Sequence, residues 1–456
     1  DDGKLGVLSA INIIVGKTMG VGAYSIPSAI FSGVGSVGMT LLLWVVGALI
    51  SFCGLAVYLD LGTAMPRSGG EKVYLERIFR RPYMLATCMF MSYVVLLGFS
   101  TPNAIVLGEH ALYVTGAKEN AWNVRAIAVA AVTMLCYLQA RHPRVGLALI
   151  NTLGAAKMLI LAVVVVSGAR RVDLAMAGDV PTSTAQRNFH AVWEGSSVQP
   201  YDYATALLKV LYCFRGYSTA NQVLSDVRDP VRTLRVAAPI ALGLVSAAYL
   251  ATTTAFFLVV DKDEFRSAGE VVAAVFFRKV FGDGAGARIL PLFVVVTAAG
   301  NIAATSFAQA RVNEELAREG VLPPSKTRRP RSTAPVRGLL LHWVVSTAAI
   351  VLPPPGRIFN FLVDIGGYPV SVISVAVSLG LLYLHTTPSE RWSSPCRAPR
   401  FAVVLFAATN CLLLVLPWVP PRGGVATDVG NEFPSWAYPA TSLGVLGLGA
   451  VYWLWW

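Results

Sequence analysis

The chain alternates long apolar runs with short polar punctuation from end to end. With about 20 apolar residues needed to cross a hydrocarbon core, the runs predict twelve helices, at approximately 6–31, 37–61, 84–113, 123–140, 145–168, 203–225, 236–260, 288–318, 337–353, 358–385, 400–418 and 435–456. Two of these runs are interrupted. The first contains Gly16-Lys17-Thr18-Met19-Gly20-Val21-Gly22 in its middle, and the sixth contains Tyr212-Cys213-Phe214-Arg215-Gly216-Tyr217-Ser218. Backbone groups freed by unwinding find no water in hydrocarbon, so such breaks persist only where they are buried in protein or line a polar cavity. Transporters use broken helices to hold substrates and ions.

Composition narrows the class. Hydrophobic residues make up 55% of the chain and charged residues 14%, with a mean hydropathy of +0.60, whereas soluble domains carry about a quarter charged residues. The expected fold is all-α integral membrane. Lys and Arg concentrate in alternate loops, at Arg67 to Arg81, Arg141 and Arg144, Arg228 to Arg235, Arg311 to Arg337, and Arg391 to Arg400. The positive-inside bias then places both termini in the cytoplasm. It also accounts for the net charge of +12, so no nucleic-acid partner is expected. No positively charged lead with a small-residue cleavage site precedes the first run, and no signal peptide is expected. Cys53, Cys88, Cys136, Cys213 and Cys411 fall in predicted spans and Cys396 in an inner loop, which offers no outer-loop pair for a disulfide. The histidines are scattered, without metal-ligand spacing.

Five spans separate the two breaks. Because five is odd, the second copy enters the membrane from the opposite side, the pattern of an inverted repeat whose broken helices meet near the midplane. The expected organisation is a first five-helix repeat over 1–168, a second over 203–385 and two additional helices over 400–456. Where the first span restarts at Gly20-Val21-Gly22, unpaired N–H groups and the positive helix end suit a carboxylate. Carbonyls freed around Lys17, Thr18 and Met19, and near Tyr212, Cys213 and Phe214, suit an ammonium. An anionic and a cationic end in one pocket fit a zwitterionic α-amino acid, its side chain directed toward Tyr212, Phe214 and Tyr217. The alternative is that both glycine clusters only allow close helix packing.

Three runs carry a family resemblance: IIVGKTMGVGAYSIPSAIF from Ile13, PRSGGEKVYLERIFRRP from Pro66, and FRGYSTANQVLSDVRDPVRTLRVAAPIA from Phe214. They resemble the amino acid, polyamine and organocation transporter superfamily, most of all the fungal high-affinity methionine permeases and the related L-type amino acid transporters. The resemblance implies the five-plus-five fold with two added helices and amino acid transport by alternating access. It assigns the carboxylate to Gly20, Val21 and Gly22, the ammonium to carbonyls of Thr18, Tyr212 and Cys213, and an aromatic gate to Tyr212.

Charges within spans cost about 2.5–3.5 kcal/mol each at a helix centre. Lys157 lies in the middle of span five. The resemblance places its ammonium beside the unwound first span, where sodium-coupled relatives hold a cation. It is read either as the residue that couples proton movement to transport or as a permanently charged strut on the carbonyls of span one. Lys17 reads as structural, and Lys209 sits close enough to a span end to snorkel. Arg215 departs from the family pattern, which has a small residue there. Either it turns away to an intramembrane acid, Asp364 or the weaker candidate Glu109, or it enters the pocket and recognises a second carboxylate.

The segment from Glu270 to Phe281 is too short to span and reads as an interfacial helix capping the outer vestibule. Pro323 to Arg337 reads as a solvated linker. The leading function is a secondary transporter of a neutral amino acid such as methionine, by proton coupling or exchange, in the plasma membrane. The alternatives are a carrier of an acidic amino acid using Arg215 and a non-transporting amino acid sensor of the same fold. No catalytic triad, phosphate loop or metal motif is present, so no enzyme activity and no cofactor are expected. With no outer-loop cysteine between spans three and four, no obligate disulfide-linked subunit is expected.

Overall fold

A computed structural model describes residues 4–20, 22–117, 120–176, 183–268, 272–322, 335–352, 358–419 and 436–456. Their regular structure is helical: α1 (Val7–Thr18), α2 (Gly22–Val34), α3 (Val37–Ala64), α4 (Glu71–Ile78), α5 (Leu85–Leu97), α6 (Thr101–Thr115), α7 (Ala121–Arg141), α8 (Pro143–Met176), α9 (Ser183–His190), α10 (Pro200–Phe214), α11 (Thr219–Gln222), α12 (Pro230–Val259), α13 (Lys262–Ala268), α14 (Val272–Arg318), α15 (Val336–Val351), α16 (Ile358–Thr386), α17 (Arg400–Val415) and α18 (Ala437–Trp455). Each of the twelve apolar runs coincides with one of these helices or with a broken pair. Among the described residues, eight helical segments are long and apolar enough to cross a membrane, and the bent pair α1–α2 makes a ninth. The 28-residue α3, for example, rises about 42 Å at 1.5 Å per residue, more than the roughly 30 Å hydrocarbon core. The molecule is an all-α, multi-pass integral membrane protein.

The interior is built around the two interrupted spans. α1 packs against α8, α12 and α14, while α10 packs against α2 and α3. α17 leans on α3 and α16, and α18 on α5 and α16. Glycines permit the tightest crossings: a β-carbon on Gly47 of α3 would collide with Val210 of α10, and one on Gly338 of α15 with the Ala310 carbonyl of α14.

The third span differs from its expected continuous helix. It breaks at Gly98–Ser100, between α5 and α6. The freed backbone groups find partners on two other spans, as burial in a membrane requires. Gln309 of α14 donates to the Val94 carbonyl at 2.8 Å, and the Ser100 N–H donates to Ser346 Oγ at 3.1 Å. His342 Nδ1 lies 3.0 Å from the Gly98 carbonyl, so that nitrogen carries the proton. Its Nε2 therefore accepts from the Ser100 hydroxyl at 3.0 Å.

The segment before the eighth span also differs. Val272, Ala273, Phe276 and Phe277 are fully or almost fully buried, and Phe276 stacks obliquely on Phe256 of α12 with ring centroids 5.1 Å apart. This helical turn, which ends where Gly282 departs from helical geometry at φ 80°, is packed into the protein instead of lying on an interface. Val272, Ala273, Phe276 and Phe277 form one face turned into the protein, and Arg278 is exposed on the other. Residues 323–334 of the predicted basic linker lie outside the described residues.

One face carries both ends of the described chain, and it is closely tied. Leu5 forms a parallel bridge with Val227, its N–H donating to the Asp226 carbonyl at 2.8 Å. Arg311 Nε meets Asp226 at 2.9 Å, and buried Lys72 pairs with Glu76 at 3.0 Å and with Glu319. Near the other end, Tyr452 donates to the Val321 carbonyl at 2.8 Å. On this face Asp60, fully buried at the end of α3, accepts from His385 Nε2 at 2.8 Å, Trp392 Nε1 at 2.9 Å and the Ala398 N–H at 2.8 Å. That single carboxylate fixes the connection between α16 and α17 against α3.

Replacing Asp60 by Leu strands three buried donors at about 1–3 kcal/mol each. The expected outcome is a clearly lower melting temperature of the detergent-solubilised protein, while Asp60→Asn, which keeps an acceptor, loses less.

Candidate substrate site at the two helix breaks

The two interrupted spans touch at their breaks. α1 ends at Thr18, Met19 turns to extended backbone at φ −86° and ψ 93°, and α2 restarts at Gly22 with a bend of 48° between the two helices. α10 ends at Phe214, and the chain turns through Gly216 at φ +135° before α11. Only glycine adopts that backbone conformation without strain. It is also the only residue that fits: a β-carbon on Gly216 would lie 2.6 Å from Thr18 Oγ1, 2.9 Å from its nitrogen and 3.0 Å from its α-carbon. Gly22 faces the other break as well, since a β-carbon there would lie 3.6 Å from Cys213 Sγ.

Unwinding freed carbonyls at both breaks, and most have protein donors. Lys157 of α8, 1% exposed, donates to the Gly16 carbonyl at 2.8 Å and the Met19 carbonyl at 2.6 Å. Gly300 of α14 makes room for it, because a β-carbon there would lie 2.6 Å from Lys157 Cε. Asn301 of α14 donates to the Lys17 carbonyl at 2.8 Å. Tyr249 of α12 approaches both remaining sites, its hydroxyl 3.0 Å from the Thr18 carbonyl and 3.3 Å from the Cys213 carbonyl. One hydroxyl proton serves two carbonyls there, so the pair retains acceptor capacity. The Tyr212 carbonyl accepts the Arg215 N–H at 3.2 Å.

The predicted residues therefore divide. Thr18, Gly22 and Cys213 converge on the contact between the breaks, with Lys157 beneath the first, and Gly20 faces Asn103 of α6 and Asn301 of α14. Val21 lies outside the described residues. Phe214 is 1% exposed and sits edge-on to Trp44 at 5.9 Å and to Tyr249 at 5.6 Å, so its ring belongs to an aromatic cluster behind the break. Tyr217 packs edge-on against Tyr58 of α3 at 5.7 Å. Tyr212 is 40% exposed, the most open of the aromatic candidates.

Arg215 points toward α16. Its guanidinium donates to Ser371 Oγ at 3.3 Å, lies against Gly367 and sits 5.6 Å from the Tyr212 ring centroid, a cation–π distance. With Tyr217, Ser374 and Asn410 it lines a small cavity of about 40 Å³, large enough for a water and not for an amino acid. The Asp364 side chain lies outside the described residues, and Glu109 is exposed on α6.

Three contributors escaped the sequence reading. Tyr249, Asn301 and Glu71 are single polar residues in segments whose role depends on which helix they face. Glu71 opens α4 and accepts from Ser218 Oγ at 3.1 Å and Gln222 Nε2 at 3.4 Å, holding the turn of the second break. Burial pushes its carboxyl above the usual carboxylate range, against the lowering effect of those hydrogen bonds.

Comparison with known proteins places this arrangement. Residues 5–444 match the model of the amino acid permease family. The high-affinity methionine permease of Saccharomyces cerevisiae is 35% identical over 99% of this chain and 79% of its own length. The low-affinity methionine permease of the same yeast is 29% identical over 91% and 76%. The b(0,+)-type amino acid transporter 1 of Mus musculus is 27% identical over 91% and 82%. A multi-pass helical bundle whose two interrupted spans meet is thus matched along nearly its whole length by carriers, and the chain belongs to the amino acid permease family: it is an amino acid transporter and not an enzyme.

Proposed function

We propose that the amino acid carried is neutral, with methionine as the leading candidate, and that it binds where α1–α2 and α10–α11 break. The observation that carries this reading is the close approach of Gly216 to Thr18, which brings the carboxylate-binding restart of α2 and the carbonyls of both breaks into one place. The substrate carboxylate is held by the N–H groups of Gly20, Val21 and Gly22, and its ammonium by the Thr18 and Cys213 carbonyls that share the Tyr249 proton. Tyr212 and Tyr217 lie at the side-chain end, with Tyr212 as gate. The names of the two yeast relatives support methionine.

The direction of Arg215 supports neutrality. A guanidinium engaged by Ser371 and stacked on Tyr212 keeps its charge off the substrate ammonium. The second reading, in which Arg215 receives a side-chain carboxylate, draws on Ser374 and Asn410 lining the same small cavity as the guanidinium. The breaks would then be the first helices of two inverted halves, 1–168 and 203–385, that rock against each other with 400–456 as accessory helices, both termini cytoplasmic and the protein in the plasma membrane.

Lys157 is the residue proposed to couple transport to a proton gradient. Two short hydrogen bonds to the carbonyls of α1 suit a charged lysine, so the coupled step is release of its proton when those carbonyls move away. The fixed strut remains the competing role.

Two outcomes are expected. In proteoliposomes, uptake of radiolabelled methionine is inhibited by unlabelled leucine and not by glutamate; uptake of radiolabelled glutamate with none of methionine contradicts neutrality and gives Arg215 the substrate. Lys157→Gln abolishes the stimulation of uptake by an imposed pH gradient, and stimulation equal to that of the unmodified protein leaves Lys157 only the structural role.

A further inference from the structure

A chain of hydrogen bonds between spans one, three and eight ends on an acceptor with nothing to accept. Lys17 Nζ, which has only donors, gives one to Thr305 Oγ1 at 3.0 Å. The Thr305 hydroxyl passes its proton on to Asn301 Oδ1 at 3.2 Å. Asn301 Nδ2 donates to the Lys17 carbonyl at 2.8 Å, an atom that can only accept. Both neighbours therefore fix which end of the Asn301 amide is oxygen. Asn103 of α6 meets that oxygen at 3.1 Å, so it must present its Nδ2. Its own Oδ1 then has no freedom to flip and faces away from Asn301. That oxygen is shut off from solvent and has no hydrogen-bond partner among the described residues. It lies at the first break: a β-carbon on Gly20 would sit 3.4 Å from it.

A buried amide oxygen held in a fixed orientation without a donor is unfavourable. A carboxylate on the Gly20 and Gly22 N–H groups brings the same α-carbon's ammonium near this oxygen, and a cationic N–H group can donate to it. We propose that Asn103 Oδ1 accepts one of the three protons of the substrate's α-ammonium, beside the Thr18 and Cys213 carbonyls, in the opened states that transport requires. This inference rests on the amino acid site proposed above and adds the third span to it. Lys17 and Thr305 act as positioning residues, since they set the amide direction of Asn301 and through it that of Asn103. Lys17, deep in the first half-helix, thereby has a role beyond the structural one.

The test is equilibrium competition against radiolabelled L-methionine on the purified full chain, with unlabelled L-methionine and its des-amino analogue as competitors. Loss of a hydrogen bond to a charged group predicts that Asn103→Leu weakens methionine by about 10- to 100-fold while leaving the des-amino analogue nearly unchanged. Asn103→Asp, which keeps an oxygen facing Gly20, retains the preference for the amine-bearing ligand. Asn103→Ser, shorter but still polar, repeats the selective loss should the leucine variant fail to fold. Parallel weakening of both competitors, or unchanged methionine affinity in the leucine and serine variants, overturns the role of Asn103 and leaves the binding site standing. Failure of methionine to compete in the unmodified protein overturns the substrate reading and this inference with it.

Discussion

Backbone groups released inside a membrane must be satisfied by the protein, and the structure is organised around meeting that requirement at the end of α1. Three helices and the second break contribute. α8 supplies Lys157 to the carbonyls of Gly16 and Met19, α12 supplies Tyr249 to that of Thr18, α14 supplies Asn301 to that of Lys17, and the second break closes on Thr18 through Gly216. Each donor costs a polar side chain in an apolar span, which only a specific partner offsets. The same contacts determine which helices surround α1, so the broken span, the element proposed to bind substrate, is also the organising centre of the bundle.

The contacts also leave a defined remainder. Carbonyls at the breaks are nearly all taken, yet the Thr18 and Cys213 pair shares one proton, and Asn103 Oδ1 has none. A transporter needs such a remainder: a site satisfied entirely by its own protein would gain nothing from a substrate, while one with many open groups would not survive unliganded in a low-dielectric interior. The ties on the face that carries both chain ends, at Leu5–Val227, Arg311–Asp226 and Lys72–Glu319, are polar and lie near the second break. Polar ties of this kind can be exchanged for water at modest cost when that face opens.

Legibility in the sequence followed how far each signal departed from its surroundings. Both glycine breaks and Lys157 were readable because a glycine cluster or a charge inside an apolar run demands an explanation on its own. The break at Gly98–Ser100 was not, because one glycine followed by Phe99, Ser100 and Thr101 resembles ordinary span sequence, and its partners, His342 and Ser346, lie on a distant helix. Asn103, Asn301 and Tyr249 escaped for a related reason: a single neutral polar residue in a span acquires meaning only from what it faces. Arg215 stood out as a charge, but its direction depended on Ser371 and Gly367 of α16, which no local pattern connects to it. Phe214 illustrates the reverse, an aromatic next to a break that packs behind it onto Trp44.

The central claim is that the meeting of the two breaks is where an amino acid binds. Determining the structure of the purified protein with L-methionine bound, by electron cryomicroscopy, tests it most directly. The account predicts the ligand between Thr18, Gly20, Gly22 and Cys213, with its carboxylate on the restart of α2. A ligand resolved elsewhere, above all with its carboxylate on Arg215 beside α16, would contradict it.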